Sequence, residues 1–314
     1  MDTMPIRQIG SLDVSLVGLG CNNFGGRIDE AASAAVVQAA LDAGINFFDT
    51  ADVYGGTRSE EFLGRALGKH RTDVIVATKF GMAVHPDKKG AAPTYIKSAI
   101  EDSLRRLGTD YIDLYQLHHP DPETHIADTM AALGDLVKAG KVRQIGCSNF
   151  SATQLRDAEA AVADGAPRFV SVQNQYNLLH REPELEVLPE CERLGIAFIP
   201  YFPLMAGVLS GKYHRDEPPP AGTRIAGMPA ERQHELLSAR AFDVVAELER
   251  YAGDHGHTIL ELAIAWLAAQ AAVASVITGA TKAEQVWANV KGADWALTDE
   301  EVREVDAIAP LTTT

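Results

Sequence analysis

Short apolar runs rich in β-branched residues alternate with longer helical stretches along this chain, and no other feature constrains the fold as tightly. The runs fall at residues 14–20, 45–49, 74–79, 111–118, 142–148, 169–173, 196–200 and 275–278. Helices are expected between them at about 29–43, 59–67, 94–107, 125–139, 151–164 and 183–194. A strand followed by a helix, repeated, builds a parallel sheet, and eight such units close it into a barrel. Gly44, Gly108, Gly140, Gly165 and Gly195 each stand a few residues before the next strand, where left-handed helix caps belong. The expected fold is α/β, a single (β/α)8 TIM barrel domain over residues 1–314. Two additions are expected. Residues 6–14 read as a β-hairpin turning at Gly10-Ser11, placed to close the bottom of the barrel. Two extra helices, at about 231–254 and 258–269, precede the last strand. They follow a Gly/Pro-rich stretch at 204–230, and loops of that length in a compact domain usually serve function.

In such a barrel the chemistry sits at the C-terminal ends of the strands. Asp49 ends the second strand and Tyr54 lies just beyond it. Lys79 ends the third strand and His118 the fourth. A carboxylate, a phenol, an ammonium and an imidazole therefore meet on one rim. Neighbouring strands lie ~4.8 Å apart, which puts these groups within side-chain reach. A free tyrosine hydroxyl has a pKa of ~10, and a nearby ammonium lowers it. Asp49 can hold Lys79 in place. His118 can hydrogen-bond a substrate oxygen, and Tyr54 can deliver a proton to the charge that develops there. Taken singly, each has a plainer reading as a turn cap, a surface lysine, a barrel histidine or a loop aromatic. Their convergence is what points to a site.

Composition excludes some roles. With 28 Lys and Arg against 43 Asp and Glu, the net charge of −15 speaks against a nucleic-acid binder. Cys21, Cys147 and Cys191 are odd in number and widely spaced, as expected of free thiols in a reducing, cytoplasmic setting. Residues 1–10 do not read as a signal peptide. The apolar stretch 262–277, interrupted by Gln270 and Ser275, falls short of the ~20 residues that span a membrane. No metal is expected, because neither His118-His119 nor His255-Gly256-His257 has carboxylate or thiol partners at ligand spacing.

At these residues the sequence resembles the aldo-keto reductase family. The run from Gly44 to Gly55 looks like its G-x-N-x-F-D-T-A-x-x-Y-G signature. Residues 111–118 look like its fourth-strand motif, Gly146 to Phe150 like its G-x-S-N-F, and Gln173 to Asn177 like its Q-x-x-Y-N. Pro203 to Tyr213 resembles its P-L-x-x-G-x-L-T-G-K-Y. The resemblance implies a monomeric, NADPH-dependent reductase of small carbonyl compounds, with NADH as the alternative cofactor. Its tetrad carries onto Asp49, Tyr54, Lys79 and His118 without substitution. The same resemblance implies that Ser148, Asn149 and Gln173 bind the nicotinamide carboxamide and that Tyr201 stacks on the ring. Gly20, Cys21 and Asn22 would lie near the nicotinamide ribose. Phe202, Pro203, Leu204, Met205 and Ala206 would follow the pyrophosphate, with Lys212 and Arg224 pairing its charge. Gly279, Thr281, Lys282, Gln285 and Asn289 would hold the adenosine end, Lys282 facing the 2′-phosphate. Phe202, Thr278 and Ala288 stand where many members carry Ser, Pro and Glu.

The substrate pocket is expected to involve Asn23, Phe24, Phe80, Met82, His85 and His119. Only Leu311-Thr312-Thr313-Thr314 follow Pro310, too few for a large C-terminal lid, so an open pocket is expected. Two other readings are carried. One is an aldolase-type barrel with a Schiff-base lysine, which needs a lysine of depressed pKa. The other is a non-catalytic, NADP(H)-sensing regulatory subunit.

Overall fold

The structure, a computed structural model, describes residues 4–311. The chain opens with β1 (Ile6–Ile9) and β2 (Leu12–Ser15), an antiparallel hairpin. Barrel strands then alternate with helices: β3 (Val17–Gly20), α1 (Glu30–Asp42), β4 (Phe47–Asp49), α2 (Arg58–Leu67), β5 (Ile75–Phe80) and α3 (Pro93–Leu107). Next come β6 (Ile112–Leu117), α4 (Ile126–Lys138), β7 (Val142–Ser148), α5 (Ala152–Ala160), β8 (Phe169–Gln175), α6 (Val187–Leu194) and β9 (Ala197–Tyr201). The last part holds α7 (Ala230–Leu236), α8 (Ala239–Asp254), α9 (Ile259–Ala268), β10 (Val276–Gly279), α10 (Ala283–Lys291) and α11 (Asp299–Ile308). The sheet runs β10-β3-β4-β5-β6-β7-β8-β9, all neighbours parallel. Its two edges meet where Phe198 N–H donates to Ala272 O at 2.7 Å and Phe198 O accepts from Ala274 N–H at 3.0 Å. The chain is a (β/α)8 barrel, as its alternation requires.

Side chains alternate across each strand. Phe47, Ala77, Leu114, Ile199 and Ile277 point inward and pack on Ile9, Leu12 and Val14 of the hairpin. The hairpin thus plugs the N-terminal end of the barrel and leaves the other end open for chemistry. Gly18 is required in this packing, since a Cβ there would lie 2.9 Å from both Phe47 Cδ1 and Ser275 Oγ. Outward residues such as Val76, Phe80 and Tyr115 pack beneath the helices in a second, larger core.

Local departures from the sequence reading have physical causes. The stretch 14–20 is two strands, because Leu16 N–H turns away to Pro5 O at 2.8 Å while the chain bends from hairpin to barrel. The expected helix 231–254 breaks after Leu236, where Ser238 Oγ accepts from Ala241 N–H at 3.3 Å and starts α8 afresh. Residues 183–194 begin as a 3-10 turn, Glu182–Glu184, before α6. Among the described residues no helix is long and apolar enough to cross a membrane. The expectations placed on residues 1–3 and 312–314 lie outside the described residues.

Candidate active site

Parallel register lines up the inward residues at the open rim. Asp49 pairs with Ala77, and Lys79 pairs with Gln116. Lys79 is fully buried, and its Nζ donates to Asp49 Oδ2 at 2.5 Å and Thr50 O at 2.9 Å. It also reaches Tyr54 Oη at 3.5 Å. A buried ion pair needs its remaining lone pairs satisfied. Gln116 Nε2 at 3.2 Å and Gln173 Nε2 at 2.9 Å do this for Asp49 Oδ1. Gln116 was not anticipated from the sequence, although alternation places it inward between Leu114 and His118.

Burial opposes the charge on Lys79, but Asp49 and Tyr54 outweigh it and hold the pKa above the ordinary value. A lysine kept charged in this way is a poor Schiff-base nucleophile. For Tyr54 the balance differs from the expectation. Burial pushes the phenol up, and Lys79 only partly pulls it back. His118 is pushed down to about 2 by burial, then by Lys79 and His119. Its imidazole is therefore neutral near pH 7 and can donate a hydrogen bond. Its ring meets Tyr54 edge-on, with centroids 5.7 Å apart. Its buried Nδ1 makes no hydrogen bond within the protein.

The next three strand ends form a connected polar shelf. Ser148 Oγ donates to Gln173 O at 2.6 Å. Asn149, in the left-handed region at φ +61, donates through Nδ2 to His118 O at 2.9 Å. Its Oδ1 accepts from Tyr201 Oη at 2.8 Å. Beyond Tyr201 the chain makes a tight, irregular turn. Phe202, Met205, Ala206 and Gly207 all have positive φ. A Cβ on Gly207 would sit 2.2 Å from Lys212 Nζ, so glycine makes room for that ammonium.

Cations gather around this turn. Arg224 lies over the Phe202 ring at 4.6 Å. Arg27, from the loop between β3 and α1, crosses to donate to Gly222 O at 2.7 Å. Burial first, then the charge of Arg27, lowers the pKa of both Lys212 and Arg224. None of the three has a carboxylate partner among the described residues. In a chain of net charge −15, Arg27 thus raises the positive potential at both Lys212 and Arg224, which suits this turn to an anion. Arg27 carried no local sequence signal, because its bond partner is 195 residues away.

On the far side, Thr281 N–H and hydroxyl both approach Gln285 Oε1, at 2.7 and 3.1 Å. Lys282 is exposed at the N-cap of α10, and no side chain caps that helix end. Asn289 is buried, and its Nδ2 makes no hydrogen bond within the protein. A phosphate-bearing dinucleotide fits this set of free cations, an uncapped helix start and an orphaned amide.

Several expected site residues are placed elsewhere. Phe24 and Phe80 are fully buried in the outer core, Phe80 stacked on Tyr115 at 4.7 Å. The alternation that turns Lys79 inward turns Phe80 outward, and Phe24, fully buried in the loop after β3, presents no surface to a pocket. Asn23 is buried and donates to Ala280 O at 3.1 Å, which makes it a tie between loops. The Cys21 thiol is buried and donates to Leu19 O at 3.8 Å, within the electrostatic reach of Asp49 and Lys79. Met82 and His85 are exposed on the loop 81–90, whose base closes by Gly90 N–H to Gly81 O at 2.8 Å, and His85 pairs with Asp87. His119 is exposed and stacks on His118 at 5.4 Å. Asn22, beside Gly279, remains at the rim.

The sequence profile of the aldo/keto reductase family matches residues 16–310. This chain belongs to the aldo/keto reductase family. It is 37% identical to a probable voltage-gated potassium channel subunit beta of Oryza sativa subsp. japonica, over 91% of this chain and 89% of that one. It is 35% identical to aldo-keto reductase YhdN of Bacillus subtilis (strain 168), over 95% and 90% of the two chains. Among solved structures, the glycerol dehydrogenase AKR11B4 from Gluconobacter oxydans superposes with a TM-score of 0.83 at 33% identity, covering 98% of this chain and 94% of that one. The protein is thus an oxidoreductase of carbonyl compounds from a family that uses a nicotinamide cofactor.

Proposed function

We propose that this aldo/keto reductase reduces an aldehyde or small ketone with NADPH, Tyr54 serving as the proton donor. The observation that carries the reading is the contact chain from Asp49 through Lys79 to Tyr54, with neutral His118 beside it. When bound, the reduced nicotinamide supplies hydride to the carbonyl carbon. The residues do the rest. His118, neutral and short of one partner, donates to the carbonyl oxygen and orients it. Tyr54 gives its proton to that oxygen as negative charge develops there. Lys79 stabilises the phenolate left behind, and Asp49 with its two glutamine donors keeps the ammonium in place. His119, stacked on His118, would border the substrate.

Ser148, Asn149 and Gln173 would hold the carboxamide, and Tyr201 would cover one face of the ring. Gly20 and Asn22 would contact the ribose beside it. The turn from Phe202 to Ala206, with Lys212, Arg224 and Arg27, would seat the pyrophosphate. Gly279, Thr281, Gln285 and Asn289 would hold the adenosine, and Lys282 would meet a 2′-phosphate, which favours NADPH over NADH. A monomer is proposed as the active unit, and analytical ultracentrifugation tests it.

The test is NADPH oxidation with 4-nitrobenzaldehyde by the wild type and Tyr54→Phe. Turnover that is nearly abolished in Tyr54→Phe supports the reading, and equal rates overturn it. The channel-subunit names among the relatives favour one second reading, a nucleotide-sensing regulatory subunit. Tight NADPH binding without turnover across a broad aldehyde panel would favour it. The glycerol dehydrogenase neighbour makes glycerol with NADP+ the first alcohol to try in reverse.

A further inference from the structure

Behind the 49–54 segment, on the outer face of the barrel, lies a second group of buried titratable side chains that the proposed reaction does not use. Glu60 on α2, Tyr115 on β6 and Asp52 are all at most 1% exposed. Glu60 is well partnered. Thr78 Oγ1 donates to its Oε1 at 2.6 Å and Arg106 Nε to its Oε2 at 2.6 Å. Asp52 is not. Its Oδ2 has the Tyr95 hydroxyl at 3.5 Å and its Oδ1 meets no hydrogen-bond geometry, so the neighbouring Val53 N–H, which also favours the ionised form, offsets little of the burial. The buried Tyr115 hydroxyl is also without a partner. Two carboxyl groups thus share one guanidinium, and the geometry gives it to Glu60.

A second buried carboxylate lacking donors is strongly disfavoured, whereas a carboxylic acid is tolerated. The groups that face Asp52 are Glu60 on α2, Tyr95 and Arg106 on α3, and Tyr115 on β6. Only Arg106 among them is a cation. Asp52 also lies between two residues of the tetrad, and its N–H donates to Lys79 O at 3.1 Å. It therefore ties the segment carrying Tyr54 to the strand carrying Lys79.

We propose that Asp52 is a positioning residue that holds a proton in the working enzyme and keeps Tyr54 seated beside Lys79. Ionisation puts an unpaired charge beside Glu60, and the segment shifts toward water. The inference rests on Tyr54 being the acid. Burial, then Glu60, pushes the Asp52 carboxyl up to about 7 against the pull of Arg106, so the transition falls in the neutral range.

The experiment has two arms. In the first, kcat for carbonyl reduction at saturating NADPH is followed from about pH 6 to about 8.5 in the wild type and Asp52→Asn. The wild type is expected to fall roughly tenfold, with KM for NADPH steady, while Asp52→Asn stays near its own value at the acidic end. A flat wild-type profile, or the same descending limb in both proteins, overturns the proposal. In the second arm, infrared difference spectra of the wild type over the same pH range are expected to lose a protonated-carboxyl C=O band. Absence of that band overturns the proposal even if Asp52→Asn fails to fold. This arm needs no turnover, so an inactive wild type would sink the reductase reading while the band still decides the proton.

Discussion

Replacing Lys79 by Met separates what its ammonium does for folding from what it does for chemistry. The variant leaves Asp49 buried with only the amides of Gln116 and Gln173 as donors. Breaking one side of a buried ion pair costs about 3–5 kcal/mol. Tyr54 loses a positive charge 3.5 Å from its hydroxyl oxygen. At an effective dielectric of about 20, that charge is worth ~5 kcal/mol to a full phenolate. About 1.4 kcal/mol corresponds to tenfold in rate, and the transition state carries only part of the charge, so kcat should fall by roughly 10²–10³. The double variant Asp49→Asn/Lys79→Met removes the stranded carboxylate as well. It should recover most of the lost stability and none of the rate. Urea unfolding gives the first quantity, and single-turnover NADPH oxidation with 4-nitrobenzaldehyde gives the second. A folded Lys79→Met that keeps kcat within about tenfold would refute the role assigned to the ammonium. Rate recovery in the double variant would mean that the unpaired Asp49, not the missing cation, had slowed the reaction.

Other consequences can be measured directly. Arg27→Ala removes one of three cations at the proposed pyrophosphate seat. A charge-assisted hydrogen bond is worth about 1.5–3 kcal/mol, so Kd for NADPH should rise at least about tenfold, most steeply at low salt. An unchanged fluorescence titration would remove Arg27 from the seat. Phe80→Ala empties a fully buried site stacked on Tyr115 and should cost about 3–5 kcal/mol in urea unfolding. Its KM for the aldehyde should stay put, and a large KM change would return Phe80 to the pocket. Asp52 also predicts how folding depends on pH. Its folded carboxyl sits at about 7, above the unfolded value near 4, so the folded chain keeps a proton that the unfolded chain has released. Stability is then fully present at acid pH and is lost as pH rises through that window, by up to roughly 4 kcal/mol. Urea unfolding at about pH 5 and 8 should show roughly two-thirds of that drop in the wild type and none in Asp52→Asn.

Much of the site could be read because strand ends are local features. Asp49, Lys79 and His118 sit within one residue of the ends of β4, β5 and β6, and Tyr54 lies in the turn just beyond. Four of the five glycines expected as helix caps follow a helix end at positive φ, whereas Gly165, also at positive φ, lies in the turn beyond α5, which ends at Ala160. Some misses had a usable signal. Period-two alternation from Lys79 and His118 would have turned Phe80 outward and Gln116 inward. Ser238 stood ready as a cap inside the run expected to be one helix. Arg27 had no such signal, since only the folded chain brings its loop to Gly222.

By itself, then, the sequence determined the alternation of strand and helix, and with it the barrel, its open rim and the tetrad on it. Those follow from local periodicity and from the chemistry of residues at strand ends. The tertiary structure alone decided which charges are paired. Asp49 and Glu60 receive donors, Asp52 receives almost none, and Arg27 is brought close enough to disfavour the charge on both Lys212 and Arg224. Burial and pairing depend on groups far apart in the chain, and they set which of these side chains can carry a charge.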